Sequence, residues 1–236
     1  MSNPLLRQDV FIRNSTNGAV MTVGGVINKS IILWFFLGAS AVYSWMNPAI
    51  SGALFLPAVF IGFLLALIVI FKKAAAPFLS PVYAVMEGMF LGYISLLFEK
   101  SYPGIVINAI LLTIAVLFCM LAAYKSRLLV ATPMFKKVVI ISTFAIVIVY
   151  IVDILLGFTT GSRVPLIHET SWIGILASLF IVVIASLNLI IDFDIIEKGA
   201  RKGAPKYMEW YGAFILMITL VWLYLELLRL LSKLKD

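Results

Sequence analysis

The sequence predicts an all-α, polytopic membrane protein with seven transmembrane helices. Two observations carry that fold class. Of 236 residues, 63% are hydrophobic and only 12% are charged, whereas a soluble domain is roughly 45–50% apolar with about 25% charge. Between Lys29 and Lys72 there is no charged residue at all, a run too long for one span of about 20 residues. No polar stretch is long enough for a second folded unit, so residues 28–236 form one membrane domain.

The elements follow in order. Residues 1–27 are rich in Asn, Ser, Thr and Gly and read as a flexible tail. The charge-free run divides at Asn47-Pro48, a turn pair, into spans at 30–46 and 50–71. Lys72 and Lys73 stop the second span, and the third covers 81–98, ending at Glu99-Lys100. Tyr102-Pro103-Gly104 breaks the chain before a fourth span at 105–124. A basic loop with Lys125, Arg127, Lys136 and Lys137 precedes the fifth, 138–157. The polar segment 159–171 leads to the sixth, 172–193. A short basic loop with Lys198, Arg201, Lys202 and Lys206 leads to the seventh, 208–231. No cleavable signal is evident, so the first span is expected to act as its own targeting signal.

Charge sets the expected orientation. With alternating sides, 13 of the 18 Lys and Arg fall on the N-terminal side and 5 on the other. Basic residues mark the cytoplasmic side. The expectation is a multi-pass protein of a bacterial cytoplasmic membrane, with its N-terminus in the cytoplasm and its C-terminus outside. The net charge of +7 lies in these loops and needs no nucleic acid as partner.

Composition also excludes chemistry. One His and one Cys cannot build a His/Cys metal site. No HExxH, GxSxG, Walker or dinucleotide motif is present, so an enzyme is not expected. Cys119 reads as a small core residue. No tightly bound cofactor is called for.

Acids are what remain. Asp192 ends the sixth predicted span and Glu209 opens the seventh, on one membrane side, joined by a short basic loop. Carboxylates at the edge of a hydrocarbon layer are costly and are kept mostly where they act. Asn188 and Asp192 are i and i+4 and share a helix face. Asp194 lies about 200° round from Asp192. Glu87, about six residues into the third predicted span and roughly 9 Å deep, precedes Gly88-Met-Phe-Leu-Gly92, a close-packing pattern. It is expected to face the central cavity in its neutral form. Asp153 reads as a side chain reaching for the interface, His168 as an exposed loop residue, and Glu226 with Arg229 as a local i, i+3 ion pair. Two neighbouring carboxylates in a dry site repel and hold one proton between them. Ionised, they are hard oxygen ligands for Ca²⁺.

The stretch IDFDIIEKGARKGAPKYMEWYGAF, followed by TLVWLYLELLRLL (219–231), resembles the Bax-inhibitor family of membrane proteins, and more narrowly its bacterial Bax-inhibitor-like branch. PVYAVMEGMFLGYIS (81–95) is similar to that branch's third helix. The resemblance implies seven helices with the last one surrounded by the other six. It also implies a pH-sensitive Ca²⁺ leak, gated by two acids on the last two helices that share a proton when closed. Carried over by residue, the first gating acid matches Asp192 in Ile-Asp-Phe. The second matches Glu209 in Tyr-Met-Glu, where this sequence has Glu in place of the usual Asp. The link between them is shorter than usual, which brings Asp194 or Glu197 into consideration.

Two functions follow as expectations. One is a pH-sensitive calcium leak gated by Asp192 and Glu209, with Glu87, Asn188, Asp194 and Glu197 along the ion pathway and Ca²⁺ and protons as its partners within the lipid bilayer. The alternative is a non-transporting regulator that binds another membrane protein, such as a membrane protease.

Overall fold

Prolines and small polar residues set where the helices begin. In the computed structural model, which describes residues 19–162 and 164–235, Thr22, Thr132 and Ser171 each accept a hydrogen bond from the backbone N–H three residues on. That satisfies a donor which a helix start leaves open. Pro48, Pro77 and Pro133 occupy first turns, where a missing N–H costs nothing. The resulting helices are α1 (Val23–Met46), α2 (Pro48–Phe71), α3 (Ala76–Ser101), α4 (Ile105–Lys125), α5 (Pro133–Thr159), α6 (Trp172–Arg201) and α7 (Met208–Lys235). All seven are long and apolar enough to cross a membrane. The chain alternates sides. The side where α1 begins is here the N-face, and the side where α7 ends is the C-face.

Several helices outrun the charges that seemed to bound them. Residues 23–27, assigned to the tail, are the first turns of α1; most of the remaining tail, residues 1–18, lies outside the described residues. α3 starts at Ala76 because Pro77 fits its first turn. α5 takes in Lys136 and Lys137. α6 passes the expected end at 193 and runs to Arg201. Two i, i+4 ion pairs, Asp194–Lys198 and Glu197–Arg201, support that extension, and its basic last turn suits the helix dipole. Gly203, at φ 65°, then reverses the chain.

The last helix is central, as expected. Fifty-six per cent of the α7 span is buried, against 17% for α2, α4 and α5. α7 packs directly on α1, α3, α4 and α6. α2 lies behind α3, and α5 lies behind α6. Residues of α1, α3 and α7, including Leu33, Leu37, Tyr83, Ala84, Phe214 and Met217, form one apolar core. A second joins α4, α6 and α7 through Ile105, Ala109, Leu189, Leu220 and Leu223.

The GxxxG pattern on α3 is a backbone contact with α1. A Cβ placed on Gly88 would stand 2.2 Å from the Leu37 carbonyl oxygen, and one on Gly92 would stand 2.2 Å from that of Ala41. Only glycine permits the approach. Ser44 adds a hydrogen bond from its hydroxyl to the Met89 carbonyl, 2.7 Å. Cys119 is not a core residue: it is exposed on α4, because α4 buries a narrow face, Ile105, Ala109 and Thr113.

Candidate functional site

α6 holds Asp192 against α7. The side chain sits about two and a half turns before the end of α6, in a buried stretch from Leu189 to Asp194, and the residue is 8% exposed. The Thr219 hydroxyl of α7 faces its carboxyl, and Tyr211, also on α7, lies in the same neighbourhood. Its Oδ2 is buried with no hydrogen-bond partner among the described residues. A buried polar atom without a partner is uncommon and marks a place where something is missing or moves.

Glu209 does not share this place. Nine residues of helix follow Asp192 before α6 ends, about 13 Å of rise, and Thr219 lies about 15 Å along α7 from Glu209. The expectation that Asp192 ends its helix beside Glu209 is therefore corrected. The charged residues assigned to a loop are helical, and they carry the two acids to different depths. The two carboxylates form no hydrogen bond with each other.

Glu209 instead caps α1. It is fully buried, and its Oε1 accepts from the Thr22 N–H (3.0 Å), the Thr22 hydroxyl (3.0 Å) and Lys206 Nζ (2.8 Å). A Cβ on Gly25 would overlap the carboxylate at 1.9 Å, so glycine is what lets the acid reach the helix start. An anion suits this position because the first turn of a helix presents unpaired N–H groups and a positive dipole end. The chain ahead of α1 docks on the same loop: Met21 N–H donates to the Ala204 carbonyl (2.8 Å), and Val20 bridges Pro205.

The other candidate acids have separate duties. Asp194 is ion-paired with Lys136 of α5 and, at 2.8 Å, with Lys198. Glu197 accepts from Tyr124 of α4 and pairs with Arg201. Neither reaches Asp192. Asn188 donates to Thr143 of α5, 2.9 Å, and to its own helix at Ile184, so it fastens α6 to α5. Glu87 lies eleven residues into α3, about 16 Å along it, deeper than expected because α3 starts early. It comes close to α2: a methyl on Gly62 would stand 3.8 Å from its Oε2. Tyr83, which faces it, packs edge-on against Phe214 of α7, ring centroids 5.1 Å apart.

Towards the C-face, α7 carries a second polar cluster. Glu226 is 1% exposed. Arg229 pairs with it at 2.9 Å, Tyr150 of α5 donates to it at 2.6 Å, and Trp222 donates at 3.1 Å. Lys233 donates to the Gly174 carbonyl of α6, 2.9 Å. The expected Glu226–Arg229 pair is present. Asp153 is not an interface side chain: it is buried, and it binds the Val164 N–H (2.8 Å) and His168 Nε2 (2.9 Å), tying the α5–α6 connection down.

Seven apolar helices, the last one buried among the others, with an acid of α6 aimed at α7, narrow the choice of family. The chain matches the family described as Bax inhibitor 1 like over residues 3–236. It belongs to that family. No curated protein and no solved structure matches it. As a Bax inhibitor 1 like protein it is an integral, multi-pass membrane protein. Within this Bax inhibitor 1 like fold the α6 acid faces a hydroxyl, Thr219. Sequence reasoning missed that residue because a lone Thr in an apolar span carries no charge signal. Among the described residues no three His, Cys, Asp or Glu side chains gather as a metal site.

Proposed function

We propose that the protein is a pH-sensitive calcium leak in which Asp192 is the gating acid and Thr219 its partner across the α6–α7 seam. The observation that carries this is the buried Asp192 carboxyl with its unpartnered Oδ2, wedged against the central helix. A neutral carboxyl can rest there, bonded to the Thr219 hydroxyl, and the seam stays shut. An ionised one cannot remain dry, because the cost of an unpaired buried charge is several kcal/mol. Water or a cation must come to it, or the helices must part. Either event opens a polar track beside α7. Ca²⁺ takes six to eight oxygen ligands. One carboxylate and one hydroxyl supply few of them, so the ion keeps most of its water and leaves readily, as conduction requires. The 13-to-5 charge split supports a cytoplasmic N-face in this reading. Reporter fusions after Lys137 and at Asp236 are expected to give opposite sides; the same side for both would remove that orientation.

The test is calcium flux into dye-loaded vesicles containing the purified full chain, measured against pH. Opening requires a lost proton, so flux should rise with pH through the titration of Asp192, by at most about tenfold per pH unit for one acid. Asp192→Asn should give a low, flat profile. Glu209→Gln should keep the wild-type profile, because that acid caps α1 and stands apart from the seam. An Asp192→Asn profile that matches wild type would sink the gate. No flux from wild type at any pH would instead favour a non-transporting protein that binds another membrane protein.

A further inference from the structure

A slot opens sideways between α1 and α4. The two helices do not pack on each other; α3 and α7 form the floor between them. The slot has a volume of about 780 Å³ and an almost wholly apolar lining, with Trp34 and Trp45 of α1 facing Ile110 and Leu117 of α4. The hydroxyl groups in its wall are already engaged. Ser95 and Tyr224 bond each other at 2.6 Å, and the Thr113 hydroxyl donates to Ala109 of its own helix. Apart from the Trp34 and Trp45 indoles, the wall offers hydrocarbon and hydroxyls already bonded.

The length and the mouth of the slot select the occupant. On α1 it runs from Trp34 to Trp45, and on α4 from Phe118 back to Val106, about 16–18 Å at 1.5 Å per residue. One leaflet of a hydrocarbon core is about 15 Å deep, half of roughly 30 Å. Trp34 lies at the middle of α1, and Trp45 lies at its C-face end, so the slot spans the C-face leaflet alone. Cations lie on the same face, in the last turns of α3 and α7. Lys100 is exposed in the last turn of α3. Lys235 Nζ donates to the Pro103 carbonyl just ahead of α4, 2.9 Å. Glu99, beside Lys100 in sequence, is turned inward onto the Gly104 and Val106 N–H groups, 2.6 and 3.2 Å. Lys100 and Lys235 are thus cations at headgroup level on this face, where a lipid phosphate lies.

From this geometry we infer that the slot seats one acyl chain of a phospholipid from the C-face leaflet, with the phosphate held near Lys100 and Lys235. The seat is independent of the gate proposed at Asp192. The lipid fills a gap that the protein's own side chains leave between α1 and α4.

Filling variants test this. A Cβ on Gly38 meets nothing within 4 Å, and Val42, also in the slot wall, is 60% exposed. Gly38→Phe and Val42→Phe should therefore fold while occupying the space. Purified full-length protein would be titrated with phosphatidylglycerol in detergent, and retained lipid counted by native mass spectrometry. Wild type and Gly38→Ala should each hold one lipid. Both Phe variants should bind at least about tenfold more weakly, the equivalent of two lost buried methylenes. Lys100→Glu with Lys235→Glu should also weaken binding, with the slot left open. Circular dichroism identical to wild type confirms that each variant compared is folded. Equal retention by wild type and the folded Phe variants would overturn the seat. So would a wild-type dimer without lipid that the Phe variants convert to a monomer, since a second copy would then be the occupant.

Discussion

Gly92→Leu is expected to prevent the chain from reaching its folded state, and Gly92→Ala to weaken it measurably. The reason is that α1 and α3 touch through backbone. The Cβ of any other residue at 92 would come within 2.2 Å of the Ala41 carbonyl oxygen and 2.8 Å of the Ser44 Cβ. Neither is the end of a flexible side chain, so α1 as a whole must retreat. Retreat pulls Leu33 and Leu37 out of the core they share with α7. Overpacking of this kind costs about 1–3 kcal/mol for a small excess and more for a large one. Gly88→Ala should act alike, since its Cβ would meet the Leu37 carbonyl oxygen at 2.2 Å. Gly88→Ala with Gly92→Ala should cost less than the sum, because one displacement of α1 relieves both clashes. Thermal unfolding in detergent micelles measures this. Gly24→Ala and Gly38→Ala are the comparison, as both positions face open space. Equal midpoints for Gly92→Ala and Gly38→Ala would show that the seam is not close-packed.

Arg229→Ala is expected to destabilise the protein by about 3–5 kcal/mol, the cost of leaving a buried charge without its counter-ion. Glu226 would then keep only Tyr150 and Trp222 as donors, inside a helix bundle and away from water. Replacing both partners removes the difficulty: Glu226→Leu with Arg229→Leu should recover most of the loss, since an apolar pair of similar volume avoids the desolvation cost. The measurement is denaturant unfolding of the three proteins in the same micelle. A double variant as unstable as Arg229→Ala would mean that the helix contacts, and not the charge, are what Arg229 supplies.

Spans and their order were legible in the sequence because hydrocarbon tolerates no unpaired backbone, and long apolar runs between charges allow only helices. Helix ends were harder to read. Asp194, Glu197, Lys198 and Arg201 look like loop charges one by one, yet at i, i+4 spacing they extend α6 by two turns. That extension moved Asp192 into the bundle and away from Glu209. Asp192 was recognisable as an acid in an apolar helix. Its partner was not, because the hydroxyl of Thr219 differs little in pattern from its neighbours. Gly25 likewise gives no sign in the sequence that it makes room for Glu209. The Thr22–Glu209 pairing at the same place spans 187 residues, beyond what local periodicity can report.

That separation has a consequence for how the protein is made. Thr22 leaves the ribosome long before Glu209 exists. At roughly 5–20 residues per second, the 187 residues between them take about 10 to 40 s to synthesise. Throughout that interval the start of α1 lacks the carboxylate that completes its cap, and Met21 lacks the Ala204 carbonyl it will bind. The first helix to be inserted is thus completed by the last. A chain interrupted before α7 would be marked at its N-face by an unfinished helix start.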